Sequence, residues 1–155
     1  MNLNSIEIRP ATPQDVHAVY ALIRELAEYE RAPEAVVNTP QRMLDDGFGQ
    51  PGNWFECAVA EHEQQIVGMA IWYSRYSTWK GPCLYLEDFY VQPQYRRAGI
   101  GARLFDYVLH IGKSKRYSRL VWQVLEWNEP AIQFYRKYDS HFDPEWLNGS
   151  IELHP

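Results

Sequence analysis

The alternation of apolar and polar positions divides the chain into short strands and amphipathic helices. The segment "SIEIRP" alternates until Pro10, which predicts a first strand. After the helix-start pair Thr12 and Pro13, apolar residues recur every three or four positions, which predicts a helix that ends at about Tyr29. The apolar positions of this helix are Val16, Val19, Ile23 and Leu26.

The central part of the chain predicts a second short helix and three strands. Thr39 and Pro40 begin the helix, and Gly47 is placed to close it. The segment "WFECAVAEHEQQIVGMAIWYS" contains two apolar runs with a polar turn near Glu63, which predicts a hairpin of two strands. The segment "CLYLEDFYV" is rich in residues that favour strands and predicts the third.

The last third of the chain changes repeatedly between strand and helix. A helix is predicted from Gly99 to about Ser114, and a strand is predicted in "RLVWQVLEW". The segment "NEPAIQFYRKY" predicts a further helix that Asn128 is placed to cap, and "SIEL" predicts a closing strand. This order of elements predicts one mixed α/β domain over residues 1–155, with a hairpin in its middle.

Composition and charge narrow the classes of partner and location. The 155 residues carry a net charge of −5, which disfavours nucleic acid because phosphate binding needs a basic surface. The chain begins without an apolar signal segment, and no apolar run approaches the ~20 residues of a membrane span. We therefore expect no membrane association and a cytoplasmic location. Cys57 and Cys83 lie in apolar runs, which predicts buried thiols in a reducing compartment.

Two arginines and two glycines stand between a predicted strand and a predicted helix, in the segment "RRAGIG". Backbone N–H groups at a helix start are unpaired and electropositive, and glycine lets a ligand approach them closely. Arginine adds charged hydrogen bonds to phosphate oxygens. Arg96, Arg97, Gly99 and Gly101 therefore fit a pyrophosphate. The alternative is a tight turn into a helix, with solvated arginines.

Two common phosphate-binding motifs do not match this turn. A P-loop needs Lys and then Ser or Thr after its last glycine, but Ala102 and Arg103 follow Gly101. A dinucleotide fingerprint needs a small residue three positions after Gly101, where Leu104 stands. The ligand of the turn is therefore not predicted by either motif.

The spacing Arg96-x-x-Gly99-x-Gly101 resembles the R/Q-x-x-G-x-G/A motif of the GNAT N-acetyltransferase superfamily. Further segments resemble the diamine and thialysine acetyltransferase branch of that superfamily, in the same order and at similar spacing. These segments are "IRPAT", "LIRELAEYE", "DGFG", "YSTWKG", "YLEDFYV", "GIG" and "EWNEPAIQFY". The resemblance covers nearly the whole chain. It implies a central mixed, mostly antiparallel sheet flanked by helices, and an acetyl-CoA-dependent N-acetyltransferase.

The resemblance also implies where acetyl-CoA, the co-substrate, binds. Backbone groups at the end of the "CLYLEDFYV" strand would contact the pantetheine as an added strand would, and the glycine turn would hold the pyrophosphate. The last helix would begin beside the coenzyme arm, although Asn128 could be only a helix cap. The residues implied are Phe89, Tyr90, Val91, Arg96, Arg97, Ala98, Gly99, Ile100, Gly101, Ala102, Asn128, Glu129, Pro130 and Ala131.

Two acid–base residues are implied by the same resemblance. Glu87 would face the acceptor amine and remove its proton, directly or through water, and Tyr135 would protonate the departing thiolate. Strand alternation places Glu87 and Asp88 on opposite faces, and Asp88 is expected to serve substrate binding or structure. The alternative for both acids is a strand face that meets solvent or pairs with an arginine.

Acidic and aromatic residues suit a cationic amine through ion pairing and cation–π contact. The acceptor-binding residues implied are Tyr29, Glu30, Trp79, Glu87 and Glu126. Each could instead be a solvated acid or a packed ring. Polyamine-acetylating relatives have an Asp two positions before the loop tryptophan, where this chain has Ser77, so "YSTWKG" fits the thialysine-type relatives better. No two of the five His residues have metal-ligand spacing, so we expect no metal.

These expectations combine into transfer of the acetyl group of acetyl-CoA to the primary amine of a small molecule. The acceptor would be a thialysine-like amino acid, a diamine or a polyamine, and it would attack directly in a ternary complex, since no cysteine lies in the motifs. Relatives of this kind form homodimers, so a homodimer is expected. The alternatives are a peptide or protein N-acetyltransferase, a non-catalytic acyl-CoA-binding module, and a purely structural dimer module.

Overall fold

A computed structural model of the chain describes residues 5–50 and 53–153. The chain divides into two compact units, the first of which ends at Gln123, while the second begins at Val124. The first unit holds a five-stranded sheet and three helices, and the second unit holds one helix. Within the described ranges, no helix is long and apolar enough to cross a membrane.

The sheet has the strand order β1-β2-β3-β4-β5. Its first four strands pair antiparallel with their neighbours, and β5 pairs parallel with β4. The strands are β1 at Ile6–Pro10, β2 at Glu56–His62, β3 at Gln65–Ser77, β4 at Gly81–Val91 and β5 at Leu120–Trp122. The prediction of a mixed, mostly antiparallel sheet is therefore confirmed.

Three helices belong to the first unit and one to the second. They are α1 at Val16–Tyr29, α2 at Pro40–Phe48, α3 at Ile100–Ser114 and α4 at Glu129–Arg136. Short 3₁₀ turns lie at Pro13–Asp15, Pro33–Ala35 and Pro93–Tyr95. All four predicted helices are present, because each has the apolar spacing and the start residues that the sequence indicates.

Helices cover both faces of the sheet, so the predicted flanking arrangement is also confirmed. On one face, Val19 and Leu22 of α1 pack with Val59 of β2 and Met69 of β3 in one buried cluster. On the other face, Ile100 of α3 packs against buried residues of the strands and forms a second cluster with them. Those residues are Ile6, Ala60, Val67 and Val91. Cys57 and Cys83 are buried and free, in agreement with the prediction of buried thiols.

Two strand predictions in the last third of the chain are wrong. The predicted strand "RLVWQVLEW" is a strand only at Leu120–Trp122, because β4 supplies pairing partners only at Leu84, Tyr85 and Leu86. The segment "SIEL" is not a strand: Ile151 and Leu153 are 87% and 84% exposed. A strand needs neighbouring hydrogen bonds and a packed face, and propensity alone does not provide them.

The predicted role of Gly47 as the end of α2 is also wrong. The helix continues to Phe48, and Gly49 is its C-cap residue. Gly47 is buried, and a Cβ atom at this position would lie 2.5 Å from Cζ of Phe55. Glycine is therefore needed here for close packing of α2 on the Phe55 ring, rather than for helix termination.

Candidate active site

A β-bulge in β4 places Glu87 outside the regular strand pairing. Ile71 of β3 pairs with Asp88, and the next residue, Trp72, pairs with Leu86, so Glu87 is the extra residue of the bulge. A bulge re-aims side chains and interrupts the alternation of faces. The predicted placement of Glu87 and Asp88 on opposite faces assumed regular alternation, which this strand does not have.

Two carboxylates, those of Glu87 and Glu30, lie within electrostatic reach of Asp88 at the bulge. The pKa of Asp88 is raised to about 7 by burial first, and then by the negative charges of Glu87 and Glu30. Glu30 directly follows α1, and burial raises its pKa as well. The structure thus brings together two residues that were predicted to bind the acceptor, Glu30 and Glu87, and adds Asp88 to them. Such a cluster favours a cationic ligand.

Glu87 has a hydrogen-bond partner on the neighbouring strand. Oη of Tyr73 donates a hydrogen bond of 3.0 Å to Oε2 of Glu87. The Tyr73 ring stacks on Tyr85, with ring centroids 5.2 Å apart. Sequence reasoning missed Tyr73, because its contact depends on the register between β3 and β4, in which Tyr73 pairs with Tyr85.

The start of α3 has the geometry of an anion-binding turn. Gly99, its N-cap residue, has a φ of 76°, and Arg97 has a φ of 62°, so both lie in the left-handed region. Of the residues described around this helix start, none caps it with a side chain, whereas Thr39 caps α2. Apart from the two neighbours of Gly99 in the chain, no described residue has an atom within 4 Å of the position where Gly99 would carry a Cβ atom. Electropositive amides and open space together fit a pyrophosphate.

Arg96, predicted to bind the cofactor, uses its side chain within the protein. Its Nε donates a hydrogen bond of 2.7 Å to the carbonyl oxygen of Val91. Its guanidinium carbon lies 5.4 Å from the ring centroid of Tyr29 and 5.3 Å from that of Tyr90. The structure therefore brings Tyr29, a predicted acceptor-binding residue, to the same place as the predicted coenzyme-binding residues Tyr90, Val91 and Arg96.

The end of β4 has a strand neighbour on one side. Pairing with β5 ends at Leu86, and the described residues provide no other strand beside positions 87–91 on that side. On the other side, Phe89, Tyr90 and Val91 pair with β3. Phe89 also packs against Phe105 of α3, with ring centroids 5.7 Å apart. The pairing with β5 therefore does not extend along the predicted coenzyme-binding residues Phe89, Tyr90 and Val91.

The second unit contains the remaining predicted residues of the coenzyme site and the proposed acid. Asn128 is buried and caps α4, since its Oδ1 accepts a hydrogen bond of 3.4 Å from the backbone N–H of Ala131. Pro130 and Ala131 lie in the first turn of α4. Tyr135 is 6% exposed, and its ring lies edge-on to Phe134.

Two acidic residues of this unit were also predicted to belong to the site. Glu126 is exposed. The Glu129 carboxylate accepts a hydrogen bond from Gln133 and lies 3.9 Å from Nη1 of Arg136. The side chain of Glu129 is therefore engaged within α4, and its predicted contact with the coenzyme would involve backbone atoms.

Trp79 is not brought to the carboxyl cluster within one chain. It lies in the turn between β3 and β4 and is 85% exposed. Six strand positions separate Gly81, the first residue of β4, from Glu87, which corresponds to about 20 Å.

In the described ranges, no group of three or more His, Cys, Asp or Glu residues is arranged to hold a metal ion.

The family model that matches this chain describes acetyltransferases, and two relatives of the chain are acetyltransferases as well. The chain matches the model of the Acetyltransferase (GNAT) family over residues 16–139. It is 40% identical, over 139 residues, to the thialysine N-epsilon-acetyltransferase of Bos taurus, covering 84% of this chain and 81% of that protein. It is 34% identical, over 137 residues, to the enzyme of that name from Caenorhabditis elegans, covering 88% and 84%.

Solved structures give the same fold at lower sequence identity. One is an aminoglycoside acetyltransferase from an uncultured soil metagenomic sample in complex with trehalose, with a TM-score of 0.78 and 20% identity over 97% of this chain and 98% of that one. The predictions of a GNAT fold and of an acetyl-CoA-dependent N-acetyltransferase are confirmed by these matches. The chain belongs to the GNAT acetyltransferase family, whose members are N-acetyltransferases that use acetyl-CoA.

Proposed function

We propose that the protein transfers an acetyl group from acetyl-CoA to the primary amine of a small molecule, by direct attack in a ternary complex. The observation that carries this proposal is the cluster of Glu30, Glu87 and Asp88, with Tyr29 next to Glu30 in the chain. Such a cluster attracts an ammonium group and disfavours a neutral or anionic acceptor. The names of the relatives support a thialysine-like amino acid, with diamines and polyamines as the related class.

The proposed roles follow from what an amine needs in order to react. An ammonium group must lose a proton before it can attack, and Glu87 takes that proton directly or through water. Glu30 and Asp88 hold the cation beside it. Tyr135 supplies a proton to the departing sulfur, for which a phenol is better suited than a carboxylic acid.

The residues at the start of α3 would hold acetyl-CoA, which supplies the activated acetyl thioester. Backbone amides near Gly99 and Gly101 would bind the pyrophosphate, and the exposed guanidinium of Arg97 would add charge. Direct attack is supported by the sequence, because neither Cys57 nor Cys83 lies in the catalytic motifs. Of the two thiols, only that of Cys57 has a raised pKa, of about 12, which is caused by burial. A buried, protonated thiol is a poor carrier of an acetyl group.

The test is a coenzyme-thiol release assay across amino acids, diamines, polyamines and a peptide. We expect turnover with small primary amines, and with thialysine-like amino acids above all. Turnover of the peptide and of none of the small amines would replace the proposal with a peptide N-acetyltransferase. Absence of both turnover and coenzyme A binding by calorimetry would leave a structural module.

Two variants test the acid–base roles. Tyr135→Phe should retain coenzyme A binding and lose about 100-fold in kcat, and Glu87→Gln should lose a similar factor. Tyr138→Phe, which removes another hydroxyl three residues further on, is the matched control and should retain activity. If Tyr135→Phe is fully active, Tyr135 is not the acid.

We also propose that the enzyme is a homodimer. Trp79 and Tyr76 are 85% and 72% exposed, and aromatic residues are enriched at protein interfaces. Light scattering behind size-exclusion chromatography should give twice the monomer mass of 18.3 kDa. A monomer mass at concentrations where the enzyme is fully active would refute this proposal.

A further inference from the structure

The Glu87 carboxylate must be held in one orientation to remove a proton from the acceptor amine. Its side chain is exposed, and the bulge leaves it without a directly paired residue on β3. An exposed glutamate samples several rotamers, and each wrong rotamer moves the carboxylate away from the ammonium. The hydrogen bond of 3.0 Å from Oη of Tyr73 to Oε2 of Glu87 restricts this freedom.

The hydroxyl group of Tyr73 is itself held in place. Tyr73 and Tyr85 are directly paired across β3 and β4, and their rings stack at 5.2 Å with an interplanar angle of 29°. The guanidinium carbon of Arg75 lies 5.6 Å from the centroid of the Tyr85 ring. The stack therefore fixes the direction in which the Tyr73 hydroxyl points, at a low entropic cost at the time of reaction.

The same hydroxyl acts as a donor throughout the working pH range. Burial raises the pKa of Tyr73 to about 12, and the charge and the hydrogen bond of Glu87 add to this shift. Donation to Oε2 leaves Oε1 of Glu87 to receive a proton from the amine.

We propose that Tyr73 is a positioning residue that orients Glu87 for proton removal from the acceptor amine. This inference rests on the proposed function, since it assumes that Glu87 is the base. Glu87 acts electrostatically on Tyr85 and Asp88 of β4. Two further charged groups act on the same partners, Arg75 of β3 on the hydroxyls of Tyr73 and Tyr85, and Glu30 after α1 on Asp88. All four remain in a Tyr73→Phe variant, which removes only one oxygen atom.

The experiment is a double-mutant cycle on kcat with Tyr73→Phe and Glu87→Gln, using the acceptor found in the release assay. Tyr73→Phe should lower kcat about fivefold and leave the KM for acetyl-CoA unchanged. In the Glu87→Gln background, Tyr73→Phe should cause no further loss, because the group through which it acts is gone.

The matched control is Tyr20→Phe on α1, which removes a hydroxyl that donates to the carbonyl oxygen of Asn38 and should leave kcat unchanged. An equal loss from Tyr73→Phe in both backgrounds would show a merely structural role and overturn the inference. Wild-type kcat in Tyr73→Phe, with Glu87→Gln strongly impaired, would overturn it and leave the proposed function intact. Wild-type kcat in Glu87→Gln would overturn the inference and remove Glu87 from the role of base, while the acetyl transfer itself would stand. Thermal unfolding of each variant verifies that the fold is preserved.

Discussion

Nε of Arg96 donates a hydrogen bond of 2.7 Å to the carbonyl oxygen of Val91, which closes the turn between β4 and α3. The guanidinium group also lies over the rings of Tyr29 and Tyr90. One side chain therefore links the end of α1, the end of β4 and the turn before α3. This contact stabilises the conformation of the turn. It thereby fixes the direction in which the backbone amides at the start of α3 point.

Arg96→Ala should weaken both folding and coenzyme binding. Loss of the hydrogen bond and of two cation–π contacts should lower the free energy of unfolding by about 1–2 kcal/mol. Coenzyme A should bind less tightly, because the relaxed turn no longer presents its amides together. Chemical denaturation and calorimetry measure the two effects. A variant of wild-type stability would show that Val91 and the two rings do not depend on Arg96.

Arg97→Ala separates charge from structure at the same turn. Arg97 is exposed, so its removal should change the free energy of unfolding by less than about 0.5 kcal/mol. Coenzyme A binding should weaken at low salt, and the difference from the wild type should shrink as salt screens the charge. Calorimetry at two salt concentrations measures this dependence. A loss that does not change with salt would contradict a purely electrostatic role.

Asp88→Asn should change the pH dependence of stability. The pKa of Asp88 in the folded protein is about 7, against an ordinary value of 3.8. From about pH 4 to 7 the folded state therefore holds a proton that the unfolded state releases, so stability falls as the pH rises through this window. Asparagine removes this loss. The variant should gain a few degrees in Tm at pH 8 and less at pH 5, measured by calorimetry.

The control for this measurement is Asp106→Asn, at an exposed position of α3. It should change Tm equally little at both pH values. A gain in Asp88→Asn that is the same at pH 5 and pH 8 would show that Asp88 titrates in its ordinary range, and the electrostatic argument for the carboxyl cluster would fail.

The sequence carried enough information for the four helices and the core of the sheet. Apolar spacing and start residues are local signals, so α1 could be predicted from positions such as Val19 and Pro13. The lengths of β5 and of the "SIEL" segment could not be predicted, because a strand ends where its neighbour stops supplying hydrogen bonds. Gly47 was assigned to a helix end because glycine is common at that position. Its actual role, the contact with the Phe55 ring, could not be predicted from a local pattern.

The site shows the same division between local and long-range information. The residues of the turn at Gly99 and the carboxylate of Glu87 were predicted from the sequence and the resemblance. The bulge at Glu87, the Tyr73 hydroxyl and the raised pKa of Asp88 were not, because all three depend on the register of β3 on β4 or on the burial around it. A pattern along one strand contains no record of which residues lie beside it.

Gly47→Ala should destabilise the fold although alanine favours helices. The new methyl group would lie 2.5 Å from Cζ of Phe55, so the ring or the helix must move. Such overpacking typically costs about 1–3 kcal/mol, which exceeds the gain of up to about 1 kcal/mol in helix propensity. Urea denaturation measures the net effect. A Gly47→Ala, Phe55→Leu double variant should recover part of the loss, and no recovery would mean that the ring is not the obstacle.

An ion-pair network fixes the start of α1 to the sheet. Nη1 and Nη2 of Arg9 donate hydrogen bonds of 2.7 and 3.0 Å to the two carboxylate oxygens of Asp15. Nε of Arg9 donates a further bond of 2.8 Å to Glu61, and the backbone N–H of Thr12 donates one of 2.7 Å to Asp15. The hydrogen bond from Arg9 is the main reason that the pKa of Asp15 falls to about 2, and burial opposes this shift.

Asp15→Asn should therefore destabilise the protein at neutral pH, and the difference from the wild type should shrink in acid. A depressed folded pKa gives stability that is complete above the unfolded value of 3.8 and is lost as the pH falls through about 2. We expect a loss of about 2 kcal/mol at pH 7, measured by urea denaturation. Asp46→Asn, which removes an exposed pair with Arg42 at 3.6 Å, should cost under about 0.5 kcal/mol. Equal losses in the two variants would mean that burial adds nothing to the Arg9–Asp15 pair.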